Sequence, residues 1–119
     1  MSSHQHDSAD VAVFVDVDNI FLACKEEGLL FLPGKILEKA AGLGRVVVAR
    51  AYADWSLRSL TEAKTLLRDE AFDLIQLSGD SKGKNSADIQ LAIDAIELAM
   101  TARPPSIFLI ISGDRDFVP

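Results

Sequence analysis

Aspartates carry most of the chemistry this sequence can offer: Asp16 and Asp18 in VFVDVDN, Asp54 in AYADW, Asp80 in SGDSKGK, Asp88 and Asp94 in SADIQLAIDAI, and Asp114 and Asp116 in SGDRDF. Converging carboxylates repel one another, so a site that gathers them calls for protons or a cation, and an all-oxygen ligand set suits Mg²⁺ or Mn²⁺. Rival chemistries lack their residues. The chain has 1 Cys, Cys24, and 2 His, His4 and His6, both in the polar opening MSSHQHDSAD. That opening, residues 1–10, has no apolar periodicity and is expected to stay disordered. Ser-His-Asp and Cys-His catalysis are thereby removed, as are an intramolecular disulfide and a Cys/His zinc site. Cys24 reads as a small buried apolar residue.

The plainer account of each Asp is that the residue is common in turns and at helix N-caps. The surrounding elements decide between the two. With 119 residues, 49% hydrophobic and 25% charged, the composition is that of one ordinary globular domain. Lys and Arg number 12 against 18 Asp and Glu, a formal charge of −6. An acidic domain is no passive polyanion-binding surface, so a phosphate-bearing ligand would need local help, which a bound divalent ion can supply. No signal-peptide pattern opens the sequence and no apolar run approaches 18 residues. The expected location is cytoplasmic, with no membrane partner.

Val11 to Val15 is a continuous apolar run, the pattern of a strand buried on both faces. Ile20 to Glu27 reads as a short helix closed by Gly28, and Pro33-Gly34 open a second helix. Arg45 to Ala53 is the next strand. Ser56 is a plausible N-cap for a helix through Glu70. Phe72 to Leu77 is a third strand, Ala87 to Ala102 the longest helix, and Ser106 to Ile111 a fourth strand. Strands alternating with helices predict a parallel sheet covered on both faces. The sequence stops soon after Phe117, where a covering helix is expected, so one sheet face is expected to be less covered than the other.

An Asp follows the carboxyl end of every predicted strand: Asp16 and Asp18, then Asp54, Asp80, and finally Asp114 and Asp116. In a parallel sheet these ends share one edge, the edge where open α/β folds bind ligands. Asp80, inside a Ser/Gly-rich turn, is left to the plainer account. On the long helix, Gln90, Asp94, Glu97 and Thr101 form a polar stripe, which predicts a solvated Asp94. Asp88 lies about 120° away in the first turn and is expected to face inward. Lys82 and Lys84, in a Gly-containing loop just before it, are either a cationic approach or solvated charge. Asn19 is read first as a cap and otherwise as an orienting group. Tyr52 and Trp55 are read as packing before base stacking. Arg45, Arg50, Arg58, Lys64 and Arg68 form either a basic rim or solvated surface.

Taken in order, VFVDVDNIF, AYADW, GKNSADIQLAIDAIELA and IFLIISGDRDF resemble the NYN domain, a PIN-like nuclease family that includes LabA-like proteins. The likeness runs from Val11 to the last residue, and KxxxD followed by SGDxDF is its most specific part. The resemblance implies a three-layer α/β/α sandwich around a parallel sheet, Mg²⁺ or Mn²⁺ bound by clustered Asp, and cleavage of RNA, expected single-stranded, to 5′-phosphate and 3′-hydroxyl ends. It implies metal ligands at Asp16, Asp88 and Asp114 and a further catalytic acid at Asp54. Asn19, Lys84, Asp94, Ser112 and Asp116 fall to substrate or supporting positions. Asp18 is not a family requirement. Domains of this family continue past SGDxDF through another helix and strand that this sequence lacks, and a homodimer is among the expected assemblies.

Two other readings compete. A strand into Asp16-x-Asp18, a strand into Ser78, a Lys at 82 or 84 and a strand into Gly113-Asp114 also resemble, in order, a haloacid-dehalogenase-like phosphatase. Asp16 would then be the nucleophile and Asp18 the acid/base. Against it, Ile20 stands where that family favours Thr or Val. The third reading is a non-catalytic RNA-binding or regulatory module.

Overall fold

The protein is described here by a computed structural model covering residues 9–77 and 86–112. Its elements are β1 (Asp10–Asp16), α1 (Val17–Glu27), α2 (Pro33–Ala41), β2 (Arg45–Ala53), a 3₁₀ turn (Arg58–Leu60), α3 (Thr61–Asp69), β3 (Asp73–Gln76), α4 (Ser86–Ala99) and β4 (Ile107–Ile111). The four strands are all parallel, in the order β3-β2-β1-β4. Helices on both faces make this an α/β three-layer sandwich of the PIN-like, Rossmann-like kind. The Val11–Val15 run is the inner strand it was expected to be, buried from Val11 through Asp16.

Alternate residues of the strands serve two cores. Val11, Val13 and Val15 of β1 and Ala51 and Ala53 of β2 pack under α1, α2 and α3, with Ala40, Leu60, Ala63 and Leu67 buried against them. Ala12, Phe14 and Tyr52 face the other way, toward Ala87 and Leu91 of α4. Among the described residues, three helices therefore cover one face and one helix the other. Ile89, Ile93 and Ile96 of α4, Met100 just past its end and Ile110 of β4 are exposed on this second side.

α4 ends at Ala99 rather than Ala102, and β3 and β4 are each shorter than expected by one or two residues; three further boundaries differ from expectation, each for a local reason. β1 begins at Asp10, whose carboxylate accepts from the Arg45 side chain opposite it at 3.0 and 3.1 Å. α1 starts at Val17 with no intervening loop, because Asp16 keeps an extended conformation (φ −88°, ψ 93°) and the next residue is already helical. The stretch from Ser56 is not one helix. Both the N–H and the hydroxyl of Ser56 donate to Asp54 Oδ1, so Ser56 closes a turn, Leu57 stays extended and α3 begins only at Thr61.

Among the described residues, helix ends follow capping rules at the two positions with positive φ. Gly28 (φ 70°) closes α1, with Leu29 N–H reaching Cys24 O at 2.8 Å. Ala71 (φ 67°) does the same after α3, with Phe72 N–H donating to Leu67 O at 3.0 Å. A left-handed residue at this position is the usual helix stop, normally a glycine.

Candidate functional site

The strand order reverses between β1 and β4, and crevices at such a switch point are where open parallel sheets take ligands. Val15 pairs with Ile111, so Asp16 and Ser112 leave neighbouring strands side by side at the carboxyl edge. Asp16 is the one charged residue buried among the described residues, 1% exposed. Its Oδ2 accepts a 2.8 Å hydrogen bond from the Asn19 side-chain amide, while its Oδ1 is buried with no hydrogen-bond partner. Asn19 is thus an orienting group for the carboxylate, one helical turn along from it, and no side chain caps α1.

Burial raises the Asp16 carboxyl above the ordinary range; the Asn19 bond opposes this, and the nearby charges of Asp88 and Asp18 add to it. The Asp18 carboxyl is also raised, first by burial and then by the charge of Asp54, against the pull of the Asp54 backbone N–H. Asp54 goes the other way. Its carboxyl is lowered by hydrogen bonds from Ser56 and Gln76. The Ser56 hydroxyl lies 2.6 Å and the Gln76 amide 2.9 Å from Asp54 Oδ1.

Gln76 has no counterpart in the sequence reading, yet it joins the ends of β2 and β3. Its amide donates to Asp54 and to Leu77 O, and its carbonyl oxygen accepts from Trp55 N–H at 3.0 Å. Trp55 and Tyr52 are both packed inside, as expected, and the Trp55 indole donates to Ile75 O at 3.0 Å. A lone Gln at the end of a short strand gives no sequence signal for this role.

On α4, Asp94 is not the solvated residue that helical periodicity predicts. It is half-buried, with Oδ2 accepting from the Tyr52 hydroxyl at 2.6 Å and Oδ1 from Gln90 at 2.9 Å. The helix is apolar over more than half its circumference, so the polar stripe lies beside the buried face and the outermost side is Ile89, Ile93 and Ile96. Asp88 is exposed rather than inward-facing, at the margin of the buried stripe, but close enough for its charge to act on Asp16. Two of the five residues expected in a basic rim are set apart from it. Arg45 pairs with Asp10 at the opposite end of the sheet, and Arg50 lies mid-strand beside the Tyr52 hydroxyl.

Asp80, Lys82, Lys84, Asp114 and Asp116 lie outside the described residues. Among the described residues no three His, Cys, Asp or Glu side chains form a group that could hold a metal ion. The part of the set that is described does fit a cation. An anionic oxygen that is buried, unpaired and flanked by two further carboxylates is a group that burial alone would penalise and a positive charge would satisfy.

No helix among the described residues is long and apolar enough to cross a membrane. The sequence matches the NYN domain family over residues 10–119, nearly its whole length. No curated protein and no solved structure matches it. The chain belongs to the NYN domain family of the PIN-like nuclease superfamily, whose nuclease-type fold agrees with the parallel sheet and the acidic carboxyl edge.

Proposed function

We propose that the protein is a divalent-metal-dependent ribonuclease that hydrolyses RNA phosphodiester bonds at the carboxyl edge of the sheet, in the cytoplasm. The observation that carries the reading is the buried, unpartnered Oδ1 of Asp16 at the switch point of a NYN-family sheet. Asp16, Asp88 and Asp114 would hold Mg²⁺ or Mn²⁺, with Asp54 as a further acid of the site. The ion when bound supplies a charge for the scissile phosphate and a lowered pKa for the attacking water.

The residues of the chain have the following tasks. Asn19 fixes the rotation of the Asp16 carboxylate through its 2.8 Å bond. The turn closed on Asp54 by Ser56 and Gln76 presents that acid beside Asp18 with its charge stabilised. Lys84, Ser112 and Asp116 are assigned to the RNA strand and its immediate surroundings. No side-chain nucleophile is required, in keeping with a sequence whose histidines both precede the fold.

The test is cleavage of labelled single-stranded RNA with Mg²⁺, with Mn²⁺ and with EDTA. Ion-dependent cleavage to 5′-phosphate and 3′-hydroxyl ends is the expected result. RNA binding without cleavage in any ion would replace it with the binding-module reading, and a hydroxylamine-sensitive phosphoryl group on Asp16 with the phosphatase reading.

A further inference from the structure

α4 presents a problem of specificity. Its sheet-facing side is Ala87, Leu91, Ala95 and Leu98, and its opposite side is Ile89, Ile93 and Ile96, continued by Met100 just past its end. Turning the helix by about half a revolution would offer the sheet an equally apolar stripe, so burial by itself does not choose which side faces inward. A directional bond does choose. Tyr52 is fully buried and stacked on Phe14, with ring centroids 6.2 Å apart. Its hydroxyl donates to Asp94 Oδ2 at 2.6 Å, the length of a charge-assisted bond. The second oxygen of Asp94 is taken by Gln90, one turn earlier on the same helix, so the carboxylate has a fixed orientation.

Two registers then connect this bond to the acidic edge. Tyr52 is the direct parallel-ladder partner of Asp16. Asp88 precedes Asp94 by six residues, about 9 Å along the helix toward the carboxyl edge at 1.5 Å per residue. Fixing the rotation of α4 at Asp94 therefore also fixes where Asp88 stands relative to Asp16. We infer that Tyr52 is a positioning residue, whose hydroxyl bond to Asp94 sets the rotation of α4 and so holds Asp88 beside Asp16 for a shared divalent ion. The inference rests on the metal site proposed above. It assigns Tyr52 no contact with ion or RNA.

The test removes one oxygen. Tyr52→Phe keeps the ring and its stacking and deletes only the hydroxyl. Mn²⁺ binding is read without RNA, from the loss of the free Mn²⁺ spin-resonance signal, and beside it the Mn²⁺ dependence of RNA cleavage and the thermal melt. The concentration for half-saturation should rise by about 10-fold, the scale on which outer-shell partners act on metal affinity. The rate constant at saturating RNA should fall while KM for RNA stays within about 2-fold. Asp94→Ala should give the same rise, and the double variant no more than either alone, because both remove one interaction. Leu67→Val, in the core of the other face, should lower the melting temperature and leave the Mn²⁺ half-saturation unchanged.

A Tyr52→Phe protein that melts earlier but binds Mn²⁺ like the parent would overturn the inference, as would full additivity with Asp94→Ala. If the parent binds Mn²⁺ but cleaves no RNA, the ribonuclease reading fails while the binding comparison still decides the role of Tyr52. If the parent binds no Mn²⁺, both fall.

Discussion

The two faces of the sheet are made by alternate residues of the same strands, yet they are built differently. The face of Val11, Val13 and Val15 is aliphatic and covered by three helices, and shape and apolar area account for it. The face of Ala12, Phe14 and Tyr52 has, among the described residues, one helix over it and carries polar groups: buried Asp16 at its edge, the buried Tyr52 hydroxyl, and half-buried Asp94 reaching down from α4. The first face can lose an atom and lose only stability. The second holds a carboxylate with one oxygen buried and unpartnered, whose burial costs free energy, and on the function proposed above that cost would be offset by a bound cation. On the proposed function, stability and chemistry are divided between opposite sides of the sheet.

The largest effect that would break this division is expected at its polar edge. Asp16→Asn keeps the side-chain size and removes the buried charge, so RNA cleavage should fall by about 10³-fold or more, roughly 4 kcal/mol of transition-state stabilisation, while the metal-free melting temperature holds or rises. Steady-state rates beside thermal melts in EDTA measure both. A variant that is less stable and still active would return Asp16 to an ordinary turn residue. Asp114→Asn is expected to follow the same pattern.

Next in size is the aliphatic face itself. Leu67→Ala removes a fully buried side chain from beneath α3 and should cost about 2–5 kcal/mol in urea unfolding, with the metal half-saturation unmoved. Leu91→Ala, on the face with a single covering helix, should fall at the lower end of that range because the site there can relax more freely. Equal losses would mean that the two faces are packed alike.

A smaller effect is a pH gradient confined to the polar face. The Asp16 carboxyl is raised in the fold relative to the unfolded chain, so its penalty is full at neutral pH and is relieved as pH falls through the raised folded value toward about 3.8. In EDTA, the parent should therefore gain on Asp16→Asn between about pH 7 and about pH 4.5. Asp54, lowered in the fold, contributes stability in the opposite sense, lost as pH falls through its folded value, but it is common to both proteins and cancels in the comparison. A stability difference that is flat with pH would place the unpaired charge elsewhere.

The smallest expected change sharpens the account of the aliphatic side. Ala71 stops α3 in the left-handed region, where a Cβ is disfavoured by about 1–2 kcal/mol, so Ala71→Gly should stabilise the protein, by less than about 1 kcal/mol after the added chain entropy of glycine. Urea midpoints at constant m-value check it.

The sequence by itself determined the strands, the helices between them and the edge at which Asp16 and Asp54 leave β1 and β2. Val11 to Val15 can be buried on both sides only as an inner strand, parallel strands require crossovers, and the Asp after each strand end then has one edge to occupy. Its family motifs likewise extend over nearly the whole chain. Tertiary structure alone decided which of those acids is buried, which is bonded and which is exposed. Asp94 looked solvated because helical periodicity gives angles around one axis and says nothing of the buried Tyr52 hydroxyl in need of an acceptor. Asp88 looked inward-facing for the same reason, an angle measured without the neighbouring strand. Gln76 gave no signal at all, since its three hydrogen bonds join residues about 20 positions apart and one position apart, and only the β2–β3 register brings the distant ones together. Periodicity is a property of one segment and is written in its residues; hydrogen-bond satisfaction is a property of two segments in contact, and is fixed only when they meet.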